Sequence, residues 1–227
     1  MSNQGTRVKM ALATEEKRPR KERKENAERR RRQILDATCR SIVSHGLQRT
    51  TLATVANEAG LSQGVAVFYF KSKNGLLTEA LRDLYIAYER HWIDALEGAG
   101  EDPVRQLVAL VRADFDPQVC NPEILSIWFA FWGEQKFTPQ YAAVTLEFDR
   151  RRQEAMQSVF QDLLPHDPAR AAHVAEWIET LTDGYWQHLH LFPEQGSKEQ
   201  MLDGCFQFLA AQLPECSDAI EACARQE

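Results

Sequence analysis

An all-α fold follows from three features of the 227-residue sequence. Apolar residues recur at spacings of three and four through one segment after another, and Pro and Gly fall between those segments. Nowhere do two strand-like runs stand close enough to pair as a hairpin or a strand-helix-strand unit. About nine helices are expected, arranged as an N-terminal three-helix domain holding a helix-turn-helix and a larger C-terminal helical domain. A hydrophobic share of 44% at this length builds a core without a metal or disulfide staple.

Residues 1–27 lack apolar periodicity and are expected to form a disordered basic arm. Residues 1–32 hold 12 Lys and Arg against 5 Glu, whereas the rest of the chain holds 15 against 28 acids. A positive arm on a negative body suits a partner rich in phosphate, the alternative being a solvated tail. In "ENAERRRRQILDATCRSIVSHG", Ile34, Leu35, Thr38, Ile42 and Val43 follow helical spacing, and Gly46 supplies the left-handed residue that ends the helix. Arg29, Arg30, Arg31 and Arg32 oppose the macrodipole at this helix start, at roughly 0.3 kcal/mol or more each. Such a placement favours an anionic partner; its alternative is a solvated first turn.

In "TTLATVANEAGLS", Thr51 is an N-cap, Leu52, Val55, Ala56 and Ala59 make one short apolar face, and Gly60 stops the helix. Ser62 is placed to cap a second short helix beginning at Gln63, so residues 51–70 read as a helix-turn-helix. Its second helix, "QGVAVFYF", has the composition of a strand and no strand to pair with. Ala66 and Phe70, four apart, would face inward with Leu61, leaving Gln63, Gly64, Val65, Val67, Phe68 and Tyr69 toward a major groove or its edge. Gln63 suits an adenine edge, Gly64 permits close backbone approach, and Val65, Val67 and Phe68 suit thymine methyl groups. Tyr69, Lys73 and the helix starts at Thr51 and Ser62 belong with phosphate. Singly, each of these residues has an ordinary reading as core aromatic, plain glycine or surface lysine. Their joint spacing supports DNA.

Leu77, Leu81, Tyr85, Tyr88 and Trp92 mark a long amphipathic helix, and Pro103, Pro122, Pro139 and Pro168 sit at the starts of later ones. Asp149, Arg150, Arg151 and Arg152 read as a helix surface. Trp128, Phe131 and Trp132 share one helical stripe; Tyr185 and Trp186 form a second aromatic set. Such stripes build cores; they also build boxes that hold quaternary ammonium groups by cation-π attraction. Asp114, Asp116, Glu134, Asp149 and Asp183 could balance a ligand's charge.

The stretch "TTLATVANEAGLSQGVAVFYFKSKNGLL" resembles the TetR family of transcriptional repressors. It has Thr50-Thr51 opening the first short helix, Ala59-Gly60-Leu61-Ser62 through the turn, Gly64 early in the recognition helix, an aromatic pair at its end, and Lys73 ahead of Leu76-Leu77. The run "DFDPQVCNPEILSIWFAFWGE" is similar to the choline-responsive BetI branch of that family. The resemblance implies a DNA-binding domain over 28–88 and a ligand-binding and dimerisation domain over 89–227. It also implies a homodimer through the last two long helices, near 168–191 and 197–213, a palindromic operator in double-stranded DNA, and release by a small-molecule effector. Choline or a related quaternary ammonium compound would then bind among Trp128, Phe131, Trp132, Tyr185, Trp186 and Glu134; an unrelated apolar effector is the alternative. Val65 and Val67 stand where relatives often carry Thr or Tyr, so no operator sequence transfers.

An enzyme is not expected. The chain has no nucleophile elbow, P-loop or dinucleotide fingerprint, and no cofactor or metal is implied. His188 and His190 are two apart, on different faces of a helix. Cys39, Cys120, Cys205, Cys216 and Cys223 are scattered without a C-x-x-C pair, which suits reduced thiols. No run is long enough to span a membrane and no secretory signal is legible, so a cytoplasmic location is expected. A helical protein-interaction module without DNA is the remaining alternative.

Overall fold

The structure, a computed structural model, describes residues 20–225. They form ten α-helices: α1 Arg20–His45, α2 Leu52–Glu58, α3 Gln63–Phe70, α4 Lys73–Gly98, α5 Pro103–Phe115, α6 Pro122–Glu134, α7 Pro139–Leu163, α8 Pro168–Leu191, α9 Lys198–Gln212 and α10 Ser217–Ala224. No strand occurs among the described residues. The count exceeds the expected nine because "SDAIEACA" forms α10 after a 3-10 turn at Pro214–Cys216, tucking Ile220 against α5 and α9.

The disordered arm expected over residues 1–27 does not extend over residues 20–27, which are helical. Residues 20–27 belong to α1, where Lys21 and Glu25 pair across one turn, a sequence of strong helix formers that extends the helix without an apolar face. Residues 1–19 lie outside the described part of the chain. Gly46 ends α1 at φ 75°, as expected. Val43 does not join the core; it is exposed, while Thr38 is buried and donates to the Ile34 carbonyl at 2.8 Å. Prolines at the first turn and Asp102, Asn121 and Asp167 caps set the starts of α5, α6 and α8.

Helix α4 joins the two halves. Its first turns bury Leu76, Leu77, Ala80 and Leu81 against α1 and α3, and its later turns bury Tyr85 and Trp92 against α5 and α7. Because α4 is unbroken to Gly98, no structural break falls at residue 88. The core runs on through Leu107, Leu110 and Val111 of α5, Trp128 and Phe131 of α6, Met156 and Phe160 of α7, Ile178 of α8 and Leu209 of α9. Each fully buried side chain of this size contributes about 1.5 to 3 kcal/mol of transfer free energy. No described helix is long and apolar enough to cross a membrane.

Candidate DNA-reading surface and effector cavity

Helices α2 and α3 form the expected helix-turn-helix. Thr51 caps α2 in a capping box: its Oγ1 accepts from the Thr54 amide at 3.1 Å, and its own amide donates to Thr54 Oγ1 at 2.8 Å. Gly60 turns the chain at φ 64°. Ser62 stands at the start of α3 in extended geometry, but its side chain makes no capping bond and stays exposed; the capping role expected for it is absent. Burial of Ala66 and Phe70, with Leu61 half-buried beside them, holds α3 instead. Tertiary packing thereby overrides the strand-like composition of "QGVAVFYF".

On the outer side of α3, Gln63, Gly64, Val67 and Phe68 are exposed, Phe68 by 68%. Val65 and Tyr69 are half-buried and packed against the core, and the Tyr69 ring meets Phe68 edge-on at 5.3 Å. Lys71, which carried no signal in the sequence, ends α3 at φ 65°, a left-handed conformation rare outside glycine; its Nζ donates to the Phe68 carbonyl at 2.6 Å and lies over the Phe68 ring. Lys73 is half-buried, and its ammonium donates to the Gln48 carbonyl at 2.6 Å, with two protons to spare for an acceptor outside. Arg29 and Arg30 are exposed and, among the described residues, bonded only locally, to Asn26 and Gln33. Arg31 is committed elsewhere: it pairs with Glu79 of α4 and lies over the Phe70 ring, so it braces the head. Arg32 likewise pairs with Asp83 of α4 at 2.8 Å.

The second site is a cavity of about 310 Å³ in the body. Tyr85 and Tyr88 of α4, Trp128 and Trp132 of α6, and Trp186 of α8 supply its aromatic walls. Trp186 lies nearly parallel to Trp132, centroids 6.5 Å apart, and Trp128 lies 6.3 Å from Trp186. Four residues expected here are elsewhere. Phe131, one position before Trp132, turns away and packs edge-on against Tyr141. Tyr185, adjacent to Trp186, points to the other side of α8 toward Phe115 and α9. Glu134 lies at the far end of α6, where Gln48 of the α1–α2 loop donates to it at 2.7 Å. Asp116 lines a different groove.

The polar side of the cavity contains Asp114, Asp149, Arg152, Glu176, Glu179 and Asp183. Arg152 is not the surface residue its Asp-Arg-Arg-Arg context suggested. It is buried, pairing with both oxygens of Asp114 at 3.0 and 3.2 Å while its Nε donates to the Tyr88 hydroxyl at 3.3 Å. Its spacing from Phe148 and Met156, four residues to either side on the buried stripe of α7, was the signal available. Tyr88 in turn donates to Asp114 at 2.7 Å, and the Trp186 N–H to the Asp114 backbone carbonyl at 2.7 Å.

With Asp114 and Arg152 neutralising each other, the other acids lack a cation within salt-bridge distance among the described residues. Burial pushes Asp149 up to about 6, with the Tyr85 hydroxyl working against the rise. Burial also raises Glu179 to about 7, opposed by Arg152 and reinforced by Asp114, Asp183 and Asp149. Asp183, more open to solvent at the mouth, rises to about 7 through desolvation and repulsion from Asp114 and Asp149. An aromatic box with surplus carboxylate is chemically a receptor for a bulky cation.

On the opposite side of α8, Trp177, Leu181, Gly184, Tyr185 and His188 face Met201 and Phe208 of α9 across an open apolar groove of about 710 Å³. Trp177 is 49% exposed.

Residues 34–80 match the model of bacterial regulatory proteins of the tetR family, and residues 103–214 match the C-terminal region of BetI-type transcriptional repressors. The HTH-type transcriptional regulator BetI of Stenotrophomonas maltophilia (strain R551-3) is 34% identical over 188 residues, covering 81% of this chain and 93% of that protein. The chain belongs to the TetR family, in its BetI-type branch. The BetI of Burkholderia thailandensis is 37% identical over 161 residues, covering 69% of this chain and 80% of its own length. Among solved structures, a transcriptional regulator from Pseudomonas aeruginosa PAO1 matches the fold with a TM-score of 0.75 at 22% identity, over 85% of this chain and 94% of that one. A Saccharomonospora viridis regulator in complex with choline matches with a TM-score of 0.70 at 21% identity, over 80% of this chain and 96% of that one. As a BetI-type TetR protein the chain is a DNA-binding transcriptional repressor, and the family is one of regulators rather than enzymes.

Proposed function

We propose that this repressor works as a homodimer on a palindromic operator and is released by a small quaternary ammonium compound, choline or a close chemical relative. The observation that carries the effector reading is the cavity: three indoles and two phenols face Asp149, Glu176, Glu179 and Asp183, which lack a cation within salt-bridge distance among the described residues. Cation-π attraction contributes about 0.5 to 2 kcal/mol per ring, and a permanent cation also favours the ionised forms of Asp149 and Glu179, which burial disfavours. The choline complex of the Saccharomonospora viridis regulator supports the same class of ligand.

Operator contact would fall to Gln63, Gly64, Val67 and Phe68 on the outer side of α3, with Val65 and Tyr69 at its edge. Lys71, Lys73, Arg29 and Arg30 would meet phosphate around them. Exposed apolar groups suit thymine methyls, so A·T-rich half-sites are expected. The groove on α8 and α9 would be covered by its copy in a second protomer, giving a four-helix contact about a two-fold axis.

The test pairs isothermal titration of choline, betaine aldehyde and glycine betaine with a gel shift on the promoter beside the protein's own gene. Binding of at least one, with loss of the shifted band, is expected. Stabilisation by another metabolite class and by none of these three would reject the effector reading.

A further inference from the structure

The cavity also contains donors without acceptors. Trp128 Nε1 and Arg152 Nη1 are buried and have no hydrogen-bond partner among the described residues, although both residues line the cavity. The contrast with their neighbours is direct, since the Trp186 N–H reaches the Asp114 carbonyl and the Arg152 Nη2 is filled by Asp114 and the Leu110 carbonyl. The Tyr85 hydroxyl, also unpaired, stands beside the Asp149 carboxylate and so has an acceptor within the wall. Buried donors are seldom left unpaired in folded proteins, and a cavity wall is where a ligand can supply the missing partner.

A quaternary ammonium group accepts no hydrogen bond, so it satisfies the rings and the carboxylates and leaves these two N–H groups open. A ligand oxygen would close them. That oxygen is better uncharged than anionic: the charge of Arg152 is already neutralised by Asp114, and Asp149, Glu179 and Asp183 would face a fourth carboxylate with no further cation nearby. We infer that the effector is a cation bearing an uncharged acceptor oxygen, that Trp128 Nε1 and Arg152 Nη1 hold this oxygen, and that a carboxylate in its place is rejected. The inference rests on the quaternary ammonium reading of the cavity and adds a second recognition point to it.

The experiment is calorimetric titration of the full chain with choline, with propyltrimethylammonium, in which a methyl group replaces the hydroxyl, and with glycine betaine. Choline should bind roughly 5- to 20-fold more tightly than propyltrimethylammonium, the range of one or two hydrogen bonds to buried donors. Glycine betaine should bind more weakly than choline by at least as much. Trp128→Phe, which keeps a ring but weakens its cation-π attraction and removes the N–H, should cost both ligands and cost choline more, so that the ratio of the two affinities falls toward one. Equal affinity for choline and propyltrimethylammonium in the unaltered protein would overturn the inference, as would tightest binding of glycine betaine or equal losses for both ligands in Trp128→Phe. Each of those results leaves the quaternary ammonium reading standing. If none of the three ligands binds, both fall together.

Discussion

A permanent cation in the cavity should bind more tightly as pH rises, and the structure sets the scale. The titrating and charged groups around the site are Tyr85 and Tyr88 from α4, Asp114 from α5, Asp149 and Arg152 from α7, and Glu176, Glu179 and Asp183 from α8. Glu179 sits at about 7 in the empty cavity against an ordinary 4.5, and Asp149 at about 6 against 3.8. Both values are raised, so the ionised forms are the costly ones: stability from these groups is greatest at low pH and is lost as pH climbs from about 4 through 7. A bound cation reverses the preference and expels protons. If it restored Glu179 fully to 4.5, affinity would grow roughly 70-fold between pH 5 and pH 8; restoring half the shift still gives roughly 14-fold. Asp183, exposed at the mouth, adds little to this gain because solvent screens it. Titration of choline at pH 5, 6, 7 and 8, repeated in two buffers with different heats of ionisation, measures both the affinity and the protons released. An affinity flat to within 3-fold, or net proton uptake, would refute the assignment of these carboxylates to the cation.

Three further outcomes follow from the same geometry. Arg152→Met strands the buried Asp114 carboxylate and should cost about 3 to 5 kcal/mol by calorimetry, whereas Asp114→Asn with Arg152→Met should recover most of the loss; equal losses would mean that the pair is not coupled. Gln48→Ala removes the hydrogen bond to Glu134 that ties the α1–α2 loop to the end of α6. Choline affinity should be unchanged, while the choline-induced loss of operator affinity, read by fluorescence anisotropy, shrinks roughly 3-fold or more; an unchanged ratio would show that the tie transmits nothing. Phe68→Ala should weaken operator binding about 10-fold with the salt slope intact, whereas Arg29→Ala with Arg30→Ala should lower the slope of log affinity against log salt by about 2, and a reversed pattern would exchange their roles.

The head was legible because its signals are local. Thr51, Gly46 and Gly60 act through the backbone of their own turns, and Ala66 with Phe70 gave the inward side of α3 despite its strand-like neighbours. The cavity was legible only in part. Trp128, Trp132 and Trp186 could be picked out as aromatic, but Phe131 and Tyr185 differ from them by one to three positions along a helix. Which of two adjacent rings faces inward depends on where neighbouring helices cross. The Tyr88, Asp114 and Arg152 cluster joins three helices over separations of 26 to 64 residues, and nothing in the Asp-Arg-Arg-Arg run marks Arg152 apart from its periodicity. The pairing of Arg31 was illegible for the same reason, since Glu79 lies 48 residues away.

Helix α8 carries two stripes of side chains. Glu176, Glu179, Asp183 and Trp186 border the cavity, and Trp177, Leu181, Gly184 and His188 border the apolar groove. One helix is about 10 Å across, so a molecule in the cavity of one protomer would lie a single helix thickness from a second protomer seated on that groove. A slight roll of α8 about its own axis, made to admit a guest, would be delivered straight to the neighbour. The two cavities of such a pair would then sense each other's occupancy at short range, and partial filling by the guest would already alter both operator-binding heads.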